Sequence, residues 1–206
     1  MSATKTDFKK IHRALYTATA EPRLVDVPDL PFLMIDGVGD PDGDGYRRAV
    51  EALYSVAYGV RFALKAAGIV EYPVMPLQGR WRTEEGEEFA YDSGRDTWHW
   101  TMMILQPPQA TPALVGDALA AAAKKKPDLP VPDVRLTRLR EGSCAQALHT
   151  GPFATEHVTL DRLYAFLEEG GYAITGLHHE IYLSHPHRTP PEKLRTILRY
   201  PVSPAA

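Results

Sequence analysis

The chain of 206 residues contains one cysteine, Cys144. A single thiol excludes an internal disulfide and any cysteine-based zinc site, and it fits a reducing cytoplasm. No apolar run approaches the roughly 18 residues that a membrane span requires. The opening Met1-Ser2-Ala3-Thr4-Lys5 leads into no apolar core of a signal peptide, so the expected location is cytoplasmic. Neither charge sign dominates: 23 Lys and Arg stand against 26 Asp and Glu, a formal net charge of -3. That balance speaks against direct nucleic-acid binding through a broad basic surface. Catalytic signatures are absent as well. Gly37-Val38-Gly39 lacks the third glycine of a phosphate loop, and there is no His-Glu-x-x-His helix. Ser143 and Ser184 have no nucleophile-elbow context. Cys144 and His149 lie five residues apart in one strand region, and alternation puts them on opposite faces. A metal shared by His178, Glu180, His185 and His187 is weighed and set aside, since the spacing matches no common ligand set. No cofactor is expected.

What is present is an ordinary globular composition, 44% hydrophobic and 24% charged, long enough for one domain or two modules sharing a core. The stretch Leu177-His178-His179-Glu180-Ile181-Tyr182-Leu183 reads as a strand. Gly170, Gly171 and Gly176 precede it and Pro186 follows. Alternation puts His179, Ile181 and Leu183 on a face that suits a core. His178, Glu180 and Tyr182 fall on the other face. A carboxylate in a sheet interior is costly unless hydrogen-bonded or used.

Around this strand the chain repeats itself in order. Residues 1–23 form an arm, with Phe8, Ile11 and Leu15 on one side of a short helix. Leu24–Val27 and Phe32–Gly37 are short strands. Asp40–Gly45 resembles a calcium loop in composition only, and Asp44 or a neighbour is expected to cap the helix that follows. That helix, over 46–67, buries Val50, Leu53, Ala57, Val60 and Leu64 and stops at Gly68. Tyr54, Tyr58 and Arg61 run beside the buried stripe. Strands follow at Pro76–Arg82 and Thr97–Leu105, joined through Glu84–Asp96. All three tryptophans, Trp81, Trp98 and Trp100, fall in this hairpin. Trp98, Trp100, Met102 and Ile104 share a strand face, so Trp98 and Trp100 are expected to enter a site together or not at all.

Thr111-Pro112 then starts a helix that ends at Lys124-Lys125-Lys126, and Pro127, Pro130 and Pro132 stiffen the connection. The second set comprises strands 134–139 and 144–149, Gly151-Pro152, a helix over about 154–169, and strands 177–183 and 194–200. Both halves read β-β-α-β-β. The pattern predicts an α+β fold: a single domain over 24–206, built of modules at about 24–106 and 134–202 joined through 107–133. A curved antiparallel sheet would carry both main helices on one face. Its other, partly open face would present Glu180, His178, Tyr182 and the tryptophans as a small-molecule site, suited to flat aromatic or cationic ligands.

The order of six segments resembles the GyrI-like small-molecule-binding family. They are Leu24-Val25-Asp26-Val27-Pro28, Met34-Ile35-Asp36-Gly37, Met75-Pro76-Leu77-Gln78-Gly79-Arg80-Trp81, Trp100-Thr101-Met102-Met103-Ile104, Leu148-His149-Thr150-Gly151-Pro152-Phe153 and His178-His179-Glu180-Ile181-Tyr182-Leu183. The resemblance covers about 24–200 and implies two β-α-β-β modules related by a pseudo-twofold, with a ligand cleft whose glutamate maps onto Glu180. The chain departs from the family pattern at Gln78, where an acid is common, and at Arg82, where a second tryptophan is common.

The resemblance implies three function classes. One is a cofactor-free hydrolase that opens the strained cyclopropane of flat DNA-alkylating antibiotics. Another is a drug-binding module without turnover. The third, a gyrase-inhibitor-like interaction module, ranks last because the net charge is too small for a DNA mimic. The expected ligand contacts are Tyr54, Tyr58, Trp81, Trp98, Trp100, Met102, Phe153, His178, Glu180 and Tyr182. Glu180 is the expected base. Tyr54 or Tyr58 is the expected hydroxyl donor, with Tyr182 the fallback.

Overall fold

The computed structural model describes residues 3–83, 94–186 and 188–205. A short strand β1 (Thr4–Lys5) and two single-turn helices, α1 (Phe8–Ile11) and α2 (Arg13–Tyr16), come first. A first set follows: β2 (Arg23–Val27), β3 (Leu30–Val38), α3 (Asp44–Ala66), β4 (Val70–Glu71), β5 (Leu77–Arg82) and β6 (His99–Leu105). Helix α4 (Pro112–Lys125) leads into the second set: β7 (Arg135–Leu139), β8 (Gly142–Thr150), α5 (His157–Gly170), β9 (Tyr172–Ile174), β10 (His178–Tyr182) and β11 (Arg195–Pro204). Each set contains one strand more than the sequence pattern predicts, because β4 and β9 are too short to show a period. Most of the expected connection Glu84–Asp96 lies outside the described residues, as does His187.

The main sheet is antiparallel and open, in the order β2-β8-β11-β10-β5-β6-β3-β7, with β9 beside β11. Replacing each strand by its counterpart in the other set reverses this order onto itself, which is the pseudo-twofold. The axis falls between β5 and β10, where Gly79 pairs with Glu180 and Trp81 with His178. The first strand of each set crosses to the edge of the other half: β2 pairs with β8 and β7 with β3. Neither set could therefore complete its own edge alone.

Helices α3 and α5 cover one face, here called the front. In α3 the stripe Leu53, Ala57, Val60 and Leu64 is buried, with Ala49, Ala52 and Val56 filling the spaces between. Truncating such a leucine to alanine typically costs about 2–5 kcal/mol. Gly43, not Asp44, occupies the N-cap of α3, and Asp44 begins the helix, where a carboxylate is favoured by the helix dipole. Thr111 caps α4 by accepting a hydrogen bond from the Leu114 amide. Leu160, Leu163 and Leu167 of α5 pack on Ala145, Ala147, Leu198 and Tyr200. Gly171 ends α5 in the left-handed region at φ 66°, which glycine adopts without a Cβ clash.

The back face is more polar. His179 does not join the apolar core with Ile181. Its Nδ1 lies 2.9 Å from Glu141 Oε2 and its Nε2 3.0 Å from Gln78 Oε1. Arg199 donates to the Leu15 carbonyl and to Gln146 Oε1, while Gln78 donates to the Tyr16 hydroxyl. The N-terminal helices are thus fastened to the back of the sheet through its buried polar groups. Among the described residues no helix is long and apolar enough to cross a membrane.

Candidate functional site

Residues directly opposite in an antiparallel ladder share a face. The registers Glu180↔Leu198, Glu180↔Gly79, Gly79↔Met102 and Trp81↔Trp100 therefore place Glu180 and both tryptophans on the front, beneath the helices. This corrects the expectation of an open face opposite them. Alternation alone says which residues share a face, not which face the helices cover.

Glu180 lies at the centre of the sheet with its side chain 8% exposed. Its Oε1 is 3.0 Å from Nε2 of His178, which is wholly buried and whose ring centroid lies 5.0 Å from that of Tyr200. The Tyr182 hydroxyl hydrogen-bonds Glu180. A carboxylate only accepts, so the phenol is the donor. Tyr182 also hydrogen-bonds Tyr46, at the start of α3. Burial first, and then the field of Glu180, push the pKa of both phenols well above the usual tyrosine value. Both therefore carry their protons at neutral pH.

Aromatic rings close over this group. Tyr46 stacks on Trp81 at 6.2 Å between centroids and meets Trp100 edge-on at 5.2 Å. Trp98 meets Trp81 edge-on at 6.0 Å, and Phe153 meets Tyr182 edge-on at 6.0 Å. Two glycines make the packing possible. A Cβ on Gly37 would lie 2.0 Å from the Trp100 ring. One on Gly79 would lie 2.8 Å from Trp81 Nε1 and 3.0 Å from the Tyr182 hydroxyl.

The structure thus brings together Glu180, His178, Tyr182, Trp81, Trp100 and Phe153, with half-buried Trp98 at the edge. Met102 is fully buried opposite Gly79 and belongs to the packing beneath the site. Tyr54 is half-buried on α3 and Tyr58 is 46% exposed, their rings 6.3 Å apart. The hydroxyls at Glu180 are instead those of Tyr182 and Tyr46. Tyr46 is not among the ligand contacts expected from the sequence, yet its spacing carries a signal. Positions 46, 50, 54 and 58 form an i, i+4 row on one side of a helix, so the tyrosine edge extends back into its first turn.

Neither of two grooves of about 360 Å³ is lined by Glu180. One runs past Lys5, Arg61 and Tyr72; the other lies against Arg80, Arg82 and Arg135. Among the described residues no three His, Cys, Asp or Glu side chains are grouped to hold a metal ion.

The GyrI-like small molecule binding domain matches residues 20–203. The chain belongs to this family. It is 41% identical to an uncharacterized conserved protein from Listeria innocua, over 96% of this chain and 99% of that one, with a TM-score of 0.89. A protein from Listeria innocua described as a hydrolase is 39% identical, over 97% of this GyrI-like chain and 100% of its own, at a TM-score of 0.88. The C-terminal domain of EcmrR shares the fold at 10% identity and a TM-score of 0.55, over 90% of this chain and 98% of that one. No curated protein matches the chain.

Proposed function

We propose that this GyrI-like protein binds flat aromatic compounds at Glu180 and hydrolyses those that carry a strained, electrophilic ring. The observation that supports this most is Glu180 itself, a buried carboxyl group bonded to His178 and Tyr182 inside a cage of tryptophans and tyrosines. The name hydrolase, given to a protein 39% identical over nearly its whole length, points the same way.

A spirocyclopropane conjugated to a dienone illustrates the substrate class. Glu180 holds a water molecule against the ring methylene and takes its proton as the C–O bond forms. The strained C–C bond breaks, and its electron pair moves through the dienone to give an aromatic phenol. As the substrate enters, Tyr182 or Tyr46 turns its single O–H from its resting partner, Glu180 or Tyr182 respectively, to the carbonyl oxygen where negative charge develops. Trp81 and Trp100 hold the flat substrate and exclude bulk water, which supplies orientation as well as affinity. The biological role is then detoxification of DNA-alkylating compounds in the cytoplasm.

Binding without turnover is the second reading. Trp81 and Trp100 are only 3% and 4% exposed, so a ligand reaches Glu180 by displacing rings, and a tight cage serves sequestration equally well. Mass spectrometry of a cyclopropane-bearing aromatic antibiotic after incubation separates the two. A product heavier by one water shows hydrolysis; unmodified ligand recovered from a complex shows sequestration.

A further inference from the structure

The back of the sheet carries a groove of about 360 Å³ lined by Asp36, Arg80, Arg82, His99, Thr101 and Arg135. The volume falls at the lower end of the range for small-ligand sites. Trp100 also borders the groove; the six residues named lie on the opposite face from Glu180, and nothing in the proposed chemistry there uses them.

The groove contains more donors than acceptors. Its carboxylate, Asp36, is occupied: Arg135 Nη1 lies 2.8 Å from Oδ2, and Thr101 donates to Oδ1 at 2.6 Å. Arg82 Nη2 lies 3.2 Å from His99 Nδ1. A guanidinium has no acceptor, so His99 accepts at Nδ1 and carries its proton on Nε2. That nitrogen is buried and has no hydrogen-bond partner among the described residues. The Arg80 Nε–H is likewise buried without one among the described residues. Its neighbouring carboxylate, Glu141, stands 3.9 Å away and is already engaged with His179 and Arg199. Among the described residues that line the groove, three guanidinium groups thus face one exposed carboxylate.

We propose that this groove is an anion site, distinct from the Glu180 cage, which takes a doubly charged oxyanion: phosphate itself or the phosphate of a small ester. Guanidinium forks match tetrahedral oxyanions in two-point contacts, and the charge-assisted bonds are the strong kind. A neutral ligand would leave the positive excess of the described lining residues uncompensated.

Calorimetric titration of the full chain with inorganic phosphate and with phenyl phosphate tests this. Both should bind saturably, and binding should weaken as salt rises. Arg82→Gln should weaken binding about tenfold or more, the usual consequence of losing a charge-assisted bond. Asp36→Asn should strengthen it, a gain that no folding defect imitates. Glu180→Gln should leave it unchanged, which separates this site from the front cage. Tighter binding of phenyl phosphate places an ester in the groove, and equal affinities place the free ion there; both support the proposal. No saturable binding of either probe overturns it. So does wild-type affinity in both Arg82→Gln and Asp36→Asn.

Discussion

Gly79 lies directly opposite Glu180 in the ladder between β5 and β10, and the Tyr182 hydroxyl stands 3.0 Å from where a Gly79 Cβ would be. The centre of the sheet therefore has a side chain on one strand and a deliberate gap on the other. Gly79→Ala should push Tyr182 and Trp81 apart, at about 1–3 kcal/mol, the usual cost of overpacking. Thermal unfolding should show the loss, and near-UV circular dichroism should show altered aromatic packing. A variant with wild-type stability and spectrum would mean that the rings do not depend on this gap.

Glu180→Gln keeps the shape of the side chain and removes the base. Ligand binding should persist, while turnover of a strained-ring substrate should fall on the order of 10²-fold or more. Single-turnover mass spectrometry alongside a tryptophan-fluorescence titration measures both. Hydrolysis at the wild-type rate would remove Glu180 from the mechanism even with the binding site intact.

The hydroxyl donors can be separated by position. Tyr182→Phe removes the group bonded to Glu180 and Tyr46→Phe the one bonded to Tyr182. Each should lower kcat roughly tenfold or more if it stabilises developing charge. Tyr58→Phe should be near neutral, because Tyr58 is 46% exposed with its ring beside Phe62. A large loss confined to Tyr58→Phe would restore the helix edge as the donor.

Much of this was legible in the sequence, and the omissions have physical causes. Helix α3 shows its buried stripe in the spacing of Leu53, Ala57, Val60 and Leu64, and the period-2 strand around Glu180 shows which residues share its face. Which face the helices cover depends on pairings far apart in the chain, such as Trp81 with His178, and no local pattern reveals those. His179 illustrates the same limit. Its place beside Ile181 reads as core, but its partners Glu141 and Gln78 lie 38 and 101 residues away. Tyr46 was hidden for a simpler reason: it precedes the buried stripe and reads as a helix start.

Acid should loosen the back of the sheet before the front. Glu141 has a side chain only 2% exposed. Burial opposes its charge, but the facing His179, together with Arg199 and Arg80, outweighs burial and holds its pKa at about 2. An unfolded glutamate titrates near 4.3. The folded group thus contributes stability that is fully present above that value and is lost as pH falls through about 2, on the order of 3 kcal/mol. His179 acts earlier. Burial lowers its pKa below the ordinary histidine value, so the unfolded chain takes up a proton more readily and stability falls once pH drops below about 6.5. The urea midpoint should therefore decline below neutrality and again below about pH 4.5. In Glu141→Gln the second decline should flatten. The neutral-pH midpoint should also drop by the equivalent of about 3–5 kcal/mol, because Arg199 is left buried without its carboxylate. Since Arg199 also holds the Leu15 carbonyl, proteolysis within residues 1–20 should accelerate in that variant. A urea midpoint that stays level in the wild type from pH 6.5 to 3 would show that this network does not set the acid limit.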